Sequence, residues 1–140
     1  MPTLFTRIID GDIPGTFVWK DERCVAFMSI NPLRRGHVLV VPREEIDHWF
    51  ECPADLMSHL MEVSQHIAKA QRQAFQPTRI GLMVAGLEVP HLHIHLVPMD
   101  GVRDLDFANA VTSVEREDLE DTAVSIREVL RSLGSPGVVD

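Results

Sequence analysis

The sequence predicts an α+β fold: a five-stranded antiparallel sheet with a short N-terminal helix, one long central helix and a C-terminal helix. Two observations carry this prediction. Short β-type runs come in pairs around turn-forming residues, and one long segment repeats its apolar side chains at helical spacing. The chain has 140 residues, 45% of them hydrophobic, which is enough to build one core. We therefore expect a single domain spanning residues 1–140.

The first half of the chain supplies one helix and three strands. Residues 4–9 place apolar side chains at near-helical spacing before a glycine and a proline, which predicts a short amphipathic helix. Residues 16–19 and 24–28 are β-type runs on either side of a charged turn, so they predict a hairpin. Residues 37–41 form an almost continuous apolar run, which is typical of a central strand buried on both faces.

The second half supplies the main helix, two strands and a last helix. Residues 53–75 carry apolar residues at helical spacing and predict the long central helix. Residues 79–84 and 91–97 are read as two further strands around a loop. Thr112 and Glu115 have the spacing of a capping box, which predicts a C-terminal helical extension over about 112–134 that packs on its own core or on a partner chain.

Charge and composition exclude several classes of function. The net charge of −8 disfavours general binding to nucleic acid, although a small nucleotide in a local pocket remains compatible with it. No apolar stretch reaches the length of about 20 residues that crosses a bilayer. Cys24 and Cys52 have no CxxC spacing, and no targeting segment is recognisable. We expect a cytoplasmic protein that has no membrane partner.

The most informative residues are His91, His93 and His95, which alternate with aliphatic residues. On a strand, such alternation places the three imidazoles on one face and the aliphatic side chains on the other. An isolated histidine is usually an ordinary polar residue, and we interpret His48, His59 and His66 in that way. Three in strict alternation indicate a binding or catalytic face, because a row of polar rings is costly unless something binds there.

Two kinds of chemistry suit this row. The outer histidines lie about 13 Å apart along a strand, whereas metal–nitrogen bonds are about 2.0 Å long, which weighs against one ion holding all three. Two of them with a distant ligand could still chelate a metal. Phosphorus chemistry fits better, because neutral imidazole is a nucleophile near neutral pH and a phosphohistidine is labile. Only His93 has a neighbour on each side, which nominates it as the nucleophile.

The sequence resembles the histidine triad family, whose signature is His-x-His-x-His followed by two apolar residues. The framework of the family is matched over about residues 3–98, in the segments Leu4-Phe5-x-Arg7-Ile8-Ile9, Ile13-Pro14, Cys24-Val25-Ala26-Phe27, Asn31-Pro32, Gly36-His37 and Pro42. The resemblance implies a homodimer with two nucleotide sites and no cofactor. It also implies that His93 attacks the α-phosphate, that His95 and nearby amides hold phosphate oxygens, and that His91 orients the nucleophile.

The resemblance also implies a purine nucleotide pocket, for an AMP or GMP conjugate. Its residues would be Leu4, Phe5, Ile8, Phe27 and Ile30 for the base, Ser29 for the ribose hydroxyls, and Gly86 in the loop before the triad. For the apolar members, plain core packing is the alternative, because a pocket wall and a core look alike in a sequence.

Three departures from the family pattern bear on chemistry. Ser29 stands where Asp or Asn is usual, and the loop before the triad lacks its usual Asn and Gln. Glu88, which we include among the catalytic residues, occupies the position of a Ser or Thr that assists the leaving group. An ionised carboxylate there would repel phosphate, whereas a protonated carboxyl, with a raised pKa, could donate a proton. A third option is that Glu88 attracts a cationic leaving group such as an amine. Glu45 replaces a histidine, and the zinc-binding cysteine pair of some relatives is missing, so we expect no metal.

Three functions follow from this pattern. The first is a hydrolase or transferase that acts on nucleoside monophosphate conjugates of the phosphoramidate type through a nucleotidyl-histidine. The second is hydrolysis of dinucleoside polyphosphates, which the missing Gln makes less favourable. The third is a nucleotide-binding protein with weak or no catalysis, which the changes at Ser29 and Glu88 would explain.

Overall fold

A computed structural model describes all residues from 1 to 140 and confirms the predicted α+β class. The five strands are β1 (Phe17–Lys20), β2 (Cys24–Met28), β3 (Val38–Pro42), β4 (Arg79–Met83) and β5 (Ile94–Met99). The three α-helices are α1 (Leu4–Ile9), α2 (Ala54–Phe75) and α3 (Arg116–Ser132). Single 3₁₀ turns occupy Trp49–Glu51, Val102–Leu105 and Phe107–Asn109.

The sheet is antiparallel throughout and has the strand order β1-β2-β3-β5-β4. As predicted, β3 is buried along its whole length and lies in the centre. In its register with β5, Leu39 faces His95 and Val40 faces Ile94. Because side chains alternate between the faces of a strand, this register decides which face the last histidine of the triad occupies.

The two faces of the sheet bury different helices. On one face, Ala26, Val38 and Ile94 pack with the apolar sides of α2 and α3 in the main core. On the other face, Phe27 and Leu39 pack with α1 through Phe5. His95, paired with Leu39, therefore points to the α1 side of the sheet, where the smaller apolar cluster leaves room for a site.

The C-terminal helix α3 packs against α2 of the same chain and buries Leu119, Ala123, Ile126 and Leu130. It ends in a Schellman motif at Gly134, whose φ is +72°. The amide of Gly134 donates to the carbonyl of Arg131 at 3.0 Å, and that of Ser135 donates to the carbonyl of Leu130 at 3.0 Å. This helix therefore belongs to the core of its own chain.

Two predicted boundaries are wrong for physical reasons. The capping box at Thr112 and Glu115 does not form: α3 begins after Glu115, whose side chain makes no capping bond. The carbonyl of Thr112 instead accepts a hydrogen bond from the side-chain amide of Asn31 at 3.0 Å, so Thr112 is held at Asn31 rather than at the start of the helix. The fifth strand begins at Ile94, because the amide of Leu92 donates to the carbonyl of Ile46 beyond β3 rather than entering the strand ladder.

Of the helices in the structure, none combines the length and the apolar composition that a membrane span requires.

Candidate active site

A cavity of about 370 Å³ opens on the α1 side of the sheet. Nine of the residues singled out from the sequence line it: Leu4, Phe5, Ile8, Phe27, Ser29, Ile30, Glu88, His93 and His95. Two do not. His91 lies behind the cavity wall and is fully buried, and Gly86 lies in the preceding loop with a φ of +74°. The predicted pocket residues therefore come together around two of the three histidines.

His93 lines the cavity, and one of its two ring nitrogens is engaged in a hydrogen bond to the main chain. Its Nδ1 lies 2.7 Å from the main-chain carbonyl oxygen of His91, and a carbonyl can only accept, so Nδ1 carries the proton and donates it. In the neutral ring the lone pair is then on Nε2, the nitrogen left for the cavity. The ring is 7% exposed and lies edge-on to Phe5 at a centroid distance of 4.8 Å. This arrangement presents a fixed imidazole at an apolar wall, with its Nε2 lone pair available to the cavity.

The His91 side chain is used to hold the site together. Its Nε2–H donates to the carbonyl of Pro42 at 2.8 Å, and its Nδ1 accepts from the hydroxyl of Thr3 at 2.6 Å. Thr3 is also the N-cap of α1, and the carboxylate of Glu45 accepts from the Thr3 amide at 2.9 Å. The main-chain carbonyl of His91 therefore fixes the ring of His93, while the His91 ring anchors α1 against β3.

A chain of three hydrogen-bonding groups fixes the proton of His95. The amide of Leu33 donates to Nδ1 of His37 at 3.0 Å, so the proton of neutral His37 is on Nε2. That Nε2–H lies 3.0 Å from Nδ1 of His95, which must accept it. The proton of neutral His95 is then on Nε2. The site thus sets a lone pair on His93 beside an N–H donor on His95, with ring centroids 4.9 Å apart.

Burial keeps these rings neutral. Desolvation, reinforced by the neighbouring histidines, lowers the pKa of His37 to about 3, and desolvation with His93 lowers that of His95 to about 4. The pKa of His93 is also lowered, mainly by burial, although the negative charge of Glu88 opposes the shift. Burial likewise lowers the pKa of His91. The assignment of lone pair and donor therefore holds at neutral pH.

A segment outside the predicted pocket closes one side of the cavity. We call residues 106–116 the wall segment; it contributes Phe107, Ala110, Val111, Thr112 and Arg116 to the lining. The Asn31 amide holds it through the carbonyls of Val111 at 3.1 Å and Thr112 at 3.0 Å. The Phe107 ring packs edge-on to His95 at 5.2 Å.

Sequence reasoning missed this segment, since a polar stretch after a strand carries no pocket signal. It also missed the contact of His37 with His95. The pairing of β3 with β5 could have indicated this contact, because Val38, next to His37, pairs with Leu96, next to His95.

The remaining polar groups of the cavity divide by charge. Among side chains with a formal charge, the lining holds only the carboxylate of Glu88 and the guanidinium of Arg116. Arg116 lies near Thr16, with Nη1 3.4 Å from the hydroxyl oxygen. Ser29 accepts from the amide of Asn31 at 3.2 Å, which leaves its own hydroxyl proton free to donate. An imidazole lone pair, an imidazole N–H, a carboxylate and a hydroxyl thus surround one apolar space.

Comparisons with known proteins identify the family of the chain. The family model for the HIT domain matches residues 10–102. The chain is 31% identical over 137 residues to the protein named "Protein hit" of Bacillus subtilis, covering 92% of this chain and 94% of that protein. The chain belongs to the HIT, or histidine triad, family.

Solved structures of other HIT proteins share the fold. A HIT-like protein of Bartonella henselae, described as involved in cell-cycle regulation, is 32% identical with a TM-score of 0.77, covering 90% of this chain and 95% of that one. A hypothetical histidine triad nucleotide-binding protein of Sulfolobus tokodaii is 26% identical with a TM-score of 0.79, covering 92% of each chain. Proteins of the HIT superfamily bind nucleotides and are generally nucleotide hydrolases or transferases.

Proposed function

We propose that this HIT protein hydrolyses purine nucleoside monophosphate conjugates of the phosphoramidate type through a nucleotidyl-His93 intermediate. The observation that carries the proposal is the fixed pair of ring nitrogens, the Nε2 lone pair of His93 beside the Nε2–H of His95. A nucleophile next to a pre-oriented donor is the arrangement that phosphoryl transfer requires, because the donor stabilises charge that develops on a non-bridging oxygen.

The first half-reaction attaches the nucleotide to the protein. Nε2 of His93 attacks the α-phosphorus, and the bond from phosphorus to the conjugate nitrogen breaks. That nitrogen keeps the electron pair of the broken bond, takes up two protons from solvent and leaves as an ammonium ion, whose positive charge the Glu88 carboxylate at the cavity wall stabilises. His95 donates to a phosphoryl oxygen throughout. Because a second phosphate would meet the like charge of Glu88, this carboxylate favours an amine over a polyphosphate as the leaving group.

The second half-reaction releases the nucleotide. Water attacks the phosphorus, Glu88 accepts a proton from that water, and the electrons of the bond from phosphorus to Nε2 return to His93. The base lies against Leu4, Phe5, Ile8, Phe27 and Ile30, and the Ser29 hydroxyl meets the ribose. Gly86, placed outside the cavity, is proposed to shape the loop that carries Glu88. No cofactor enters the scheme.

A comparison of substrates tests this proposal. We expect hydrolysis of adenosine 5′-phosphoramidate that falls by about 10⁴ or more in His93→Ala. AMP should still raise the Tm of that variant, because the pocket stays intact. Glu88→Gln should narrow the preference for the phosphoramidate over a diadenosine polyphosphate.

Faster turnover of the diadenosine polyphosphate than of the phosphoramidate by the wild type would contradict this proposal and identify the protein as a dinucleoside polyphosphate hydrolase. AMP binding without turnover of either compound would identify a nucleotide-binding protein without catalysis.

We also propose a homodimer in a reducing cytoplasm. Strand β4 pairs only with β5, so its other edge is open, and a strand that pairs antiparallel with its own copy obeys twofold symmetry. Trp49, Phe50 and Met61 add exposed apolar surface near the start of α2. Both cysteines are free. Sedimentation equilibrium should give twice the chain mass, and a persistent monomer would contradict the dimer.

As a domain assignment, we propose that the whole chain, residues 1–140, forms one HIT domain, with a family core over about 3–98 and the helical extension over about 112–134. The packing of α3 on α2 and the wall segment's place in the cavity support it. Limited proteolysis that released a stable core without α3 would contradict it.

A further inference from the structure

A second cluster of chemically active side chains lies outside the cavity, where the β1–β2 turn meets α2. It consists of Asp21, Cys24 and His59, and one donor atom from each lies within 4.8 Å of the others. None of the three lines the active-site cavity. The proposed hydrolysis uses none of them, so whatever this cluster binds is independent of that reaction.

The backbone holds the carboxylate of Asp21 firmly in place. Its Oδ1 accepts from the amides of Arg23 and Cys24, both at 2.8 Å. Its Oδ2 accepts from the indole N–H of Trp19 at 2.8 Å. These three bonds fix the turn between the strands, and they leave Oδ2 facing the helix.

Two further groups converge on Oδ2. Nε2 of His59 lies 2.8 Å from it, and the Sγ of Cys24 lies 3.6 Å from it. The thiol is fully buried, whereas the side chains of His59 and Asp21 are 29% and 23% exposed. The three donor atoms thus surround one point that is closed on the sulfur side and open to solvent on the other.

We propose that Asp21, Cys24 and His59 bind a divalent cation of the zinc type, with water as the fourth ligand. A thiolate, an imidazole and a carboxylate are the ligand classes that zinc takes in tetrahedral sites. The Trp19 N–H then acts as the outer hydrogen bond that orients the coordinating carboxylate. Such a site would join the β1–β2 hairpin to α2, and so stabilise the sheet against the main helix.

The proton balance of binding can be written in full. Burial, with the nearby charge of Asp21, raises the pKa of the Cys24 thiol far above its ordinary range, so the thiol proton passes to solvent as the cation binds. In the structure the Nε2–H of His59 donates to Oδ2 of Asp21 at 2.8 Å, so this proton must pass through solvent to Nδ1 before Nε2 becomes a ligand. The other charges facing the thiol are Arg23 and Arg43. Arg23 is paired with a carboxylate of α2 at 3.0 Å, and Arg43 donates to the Asp21 carbonyl at 2.8 Å.

Cobalt(II) titration of the full-length protein tests the site, because a thiolate bound to Co²⁺ gives a charge-transfer band in the near ultraviolet. We expect this band at one equivalent, and we expect Zn²⁺ to abolish it. Cys24→Ser should lose the band, His59→Gln should weaken binding by about tenfold or more, and the matched thiol variant Cys52→Ser should keep both band and affinity.

Thermal unfolding supplies a test that needs no variant. Zn²⁺ should also raise the Tm of the wild type and of Cys52→Ser. The absence of a thiolate band in the wild type, a band that persists in Cys24→Ser, or a wild-type Tm that Zn²⁺ leaves unchanged would each overturn the site. These readouts do not depend on nucleotide hydrolysis.

Discussion

Replacing His37 by Phe tests whether a buried hydrogen-bond chain sets the proton on His95. Phenylalanine keeps a flat aromatic ring at position 37, which is 1% exposed, but it offers no ring nitrogen to Leu33 or His95. The amide of Leu33 and Nδ1 of His95 then both lose a partner that now lies at 3.0 Å. Each orphaned buried group costs about 1–3 kcal/mol, so we expect a loss of about 2–6 kcal/mol in the free energy of unfolding.

The same substitution should slow the chemistry. Once Nδ1 of His95 no longer accepts a hydrogen bond, nothing requires its proton to sit on Nε2, and the donor to the phosphoryl oxygen is partly lost. Loss of one such donor usually costs about 10²–10³ in kcat. We expect a kcat for adenosine 5′-phosphoramidate lower by about 10², with a KM that changes less because the residues proposed to hold the base are unaltered.

Three measurements separate the two effects of this variant. Urea unfolding gives the stability, steady-state kinetics gives kcat, and ¹⁵N NMR of the imidazoles reports which nitrogen of His95 carries the proton. His66→Phe is a matched control, because His66 lies on α2 outside the cavity. A folded His37→Phe protein with the wild-type kcat and an unchanged His95 tautomer would refute the reasoning.

Three further predictions concern pH, the backbone and the wall segment. Because the folded-state pKa values of His37 and His95 lie near 3 and 4, below that of free imidazole, the unfolded chain takes up protons first. Stability is then complete above about pH 6.5 and falls on acidification, by about 2 kcal/mol per ring between about pH 7 and about pH 5 in urea unfolding. A free energy of unfolding that stays constant between these pH values would contradict this prediction. Gly36→Ala, at a φ of +91° and with its new Cβ 2.5 Å from an aromatic carbon of α2, should cost at least about 1–2 kcal/mol, whereas Gly101→Ala, which meets nothing within 4 Å, should change stability little in the same assay. Asn31→Ala removes two bonds to the wall segment and should raise the Kd of AMP about three- to tenfold by calorimetry; an unchanged Kd would show that the wall does not shape the pocket.

The fold could be predicted because its signals are local. The apolar spacing of residues 53–75 leaves little choice but a helix, and the unbroken apolar run before Pro42 requires burial on both faces. The residues at which the helices and strands begin were harder to predict. Alternation suggested a strand from His91, yet tertiary hydrogen bonds keep the first two histidines of the triad in an irregular segment before β5. A pattern of side chains cannot reveal which main-chain groups find partners elsewhere.

The candidate site likewise has residues that the sequence could predict and contacts that it could not. Spacing singled out His93 and His95, and the structure places both on the cavity. Spacing could not show that His91 contacts His93 through its main-chain carbonyl, because a contact by the ring and a contact by the carbonyl have the same sequence signal. Nor could it join His37 to His95, or Asp21 to His59, since contacts between residues so far apart depend on strand register and helix packing.

The most direct test of the central claim is to look for the nucleotide on His93. Brief reaction of the wild type with adenosine 5′-phosphoramidate, followed by rapid quenching and peptide mass spectrometry, should show an adenylyl group on the peptide that contains residues 91–95, located at His93 by fragmentation. The adduct should vanish in His93→Ala and accumulate in Glu88→Gln, in which water loses its base. Turnover by the wild type without any adduct, or an adduct on another residue, would contradict the account.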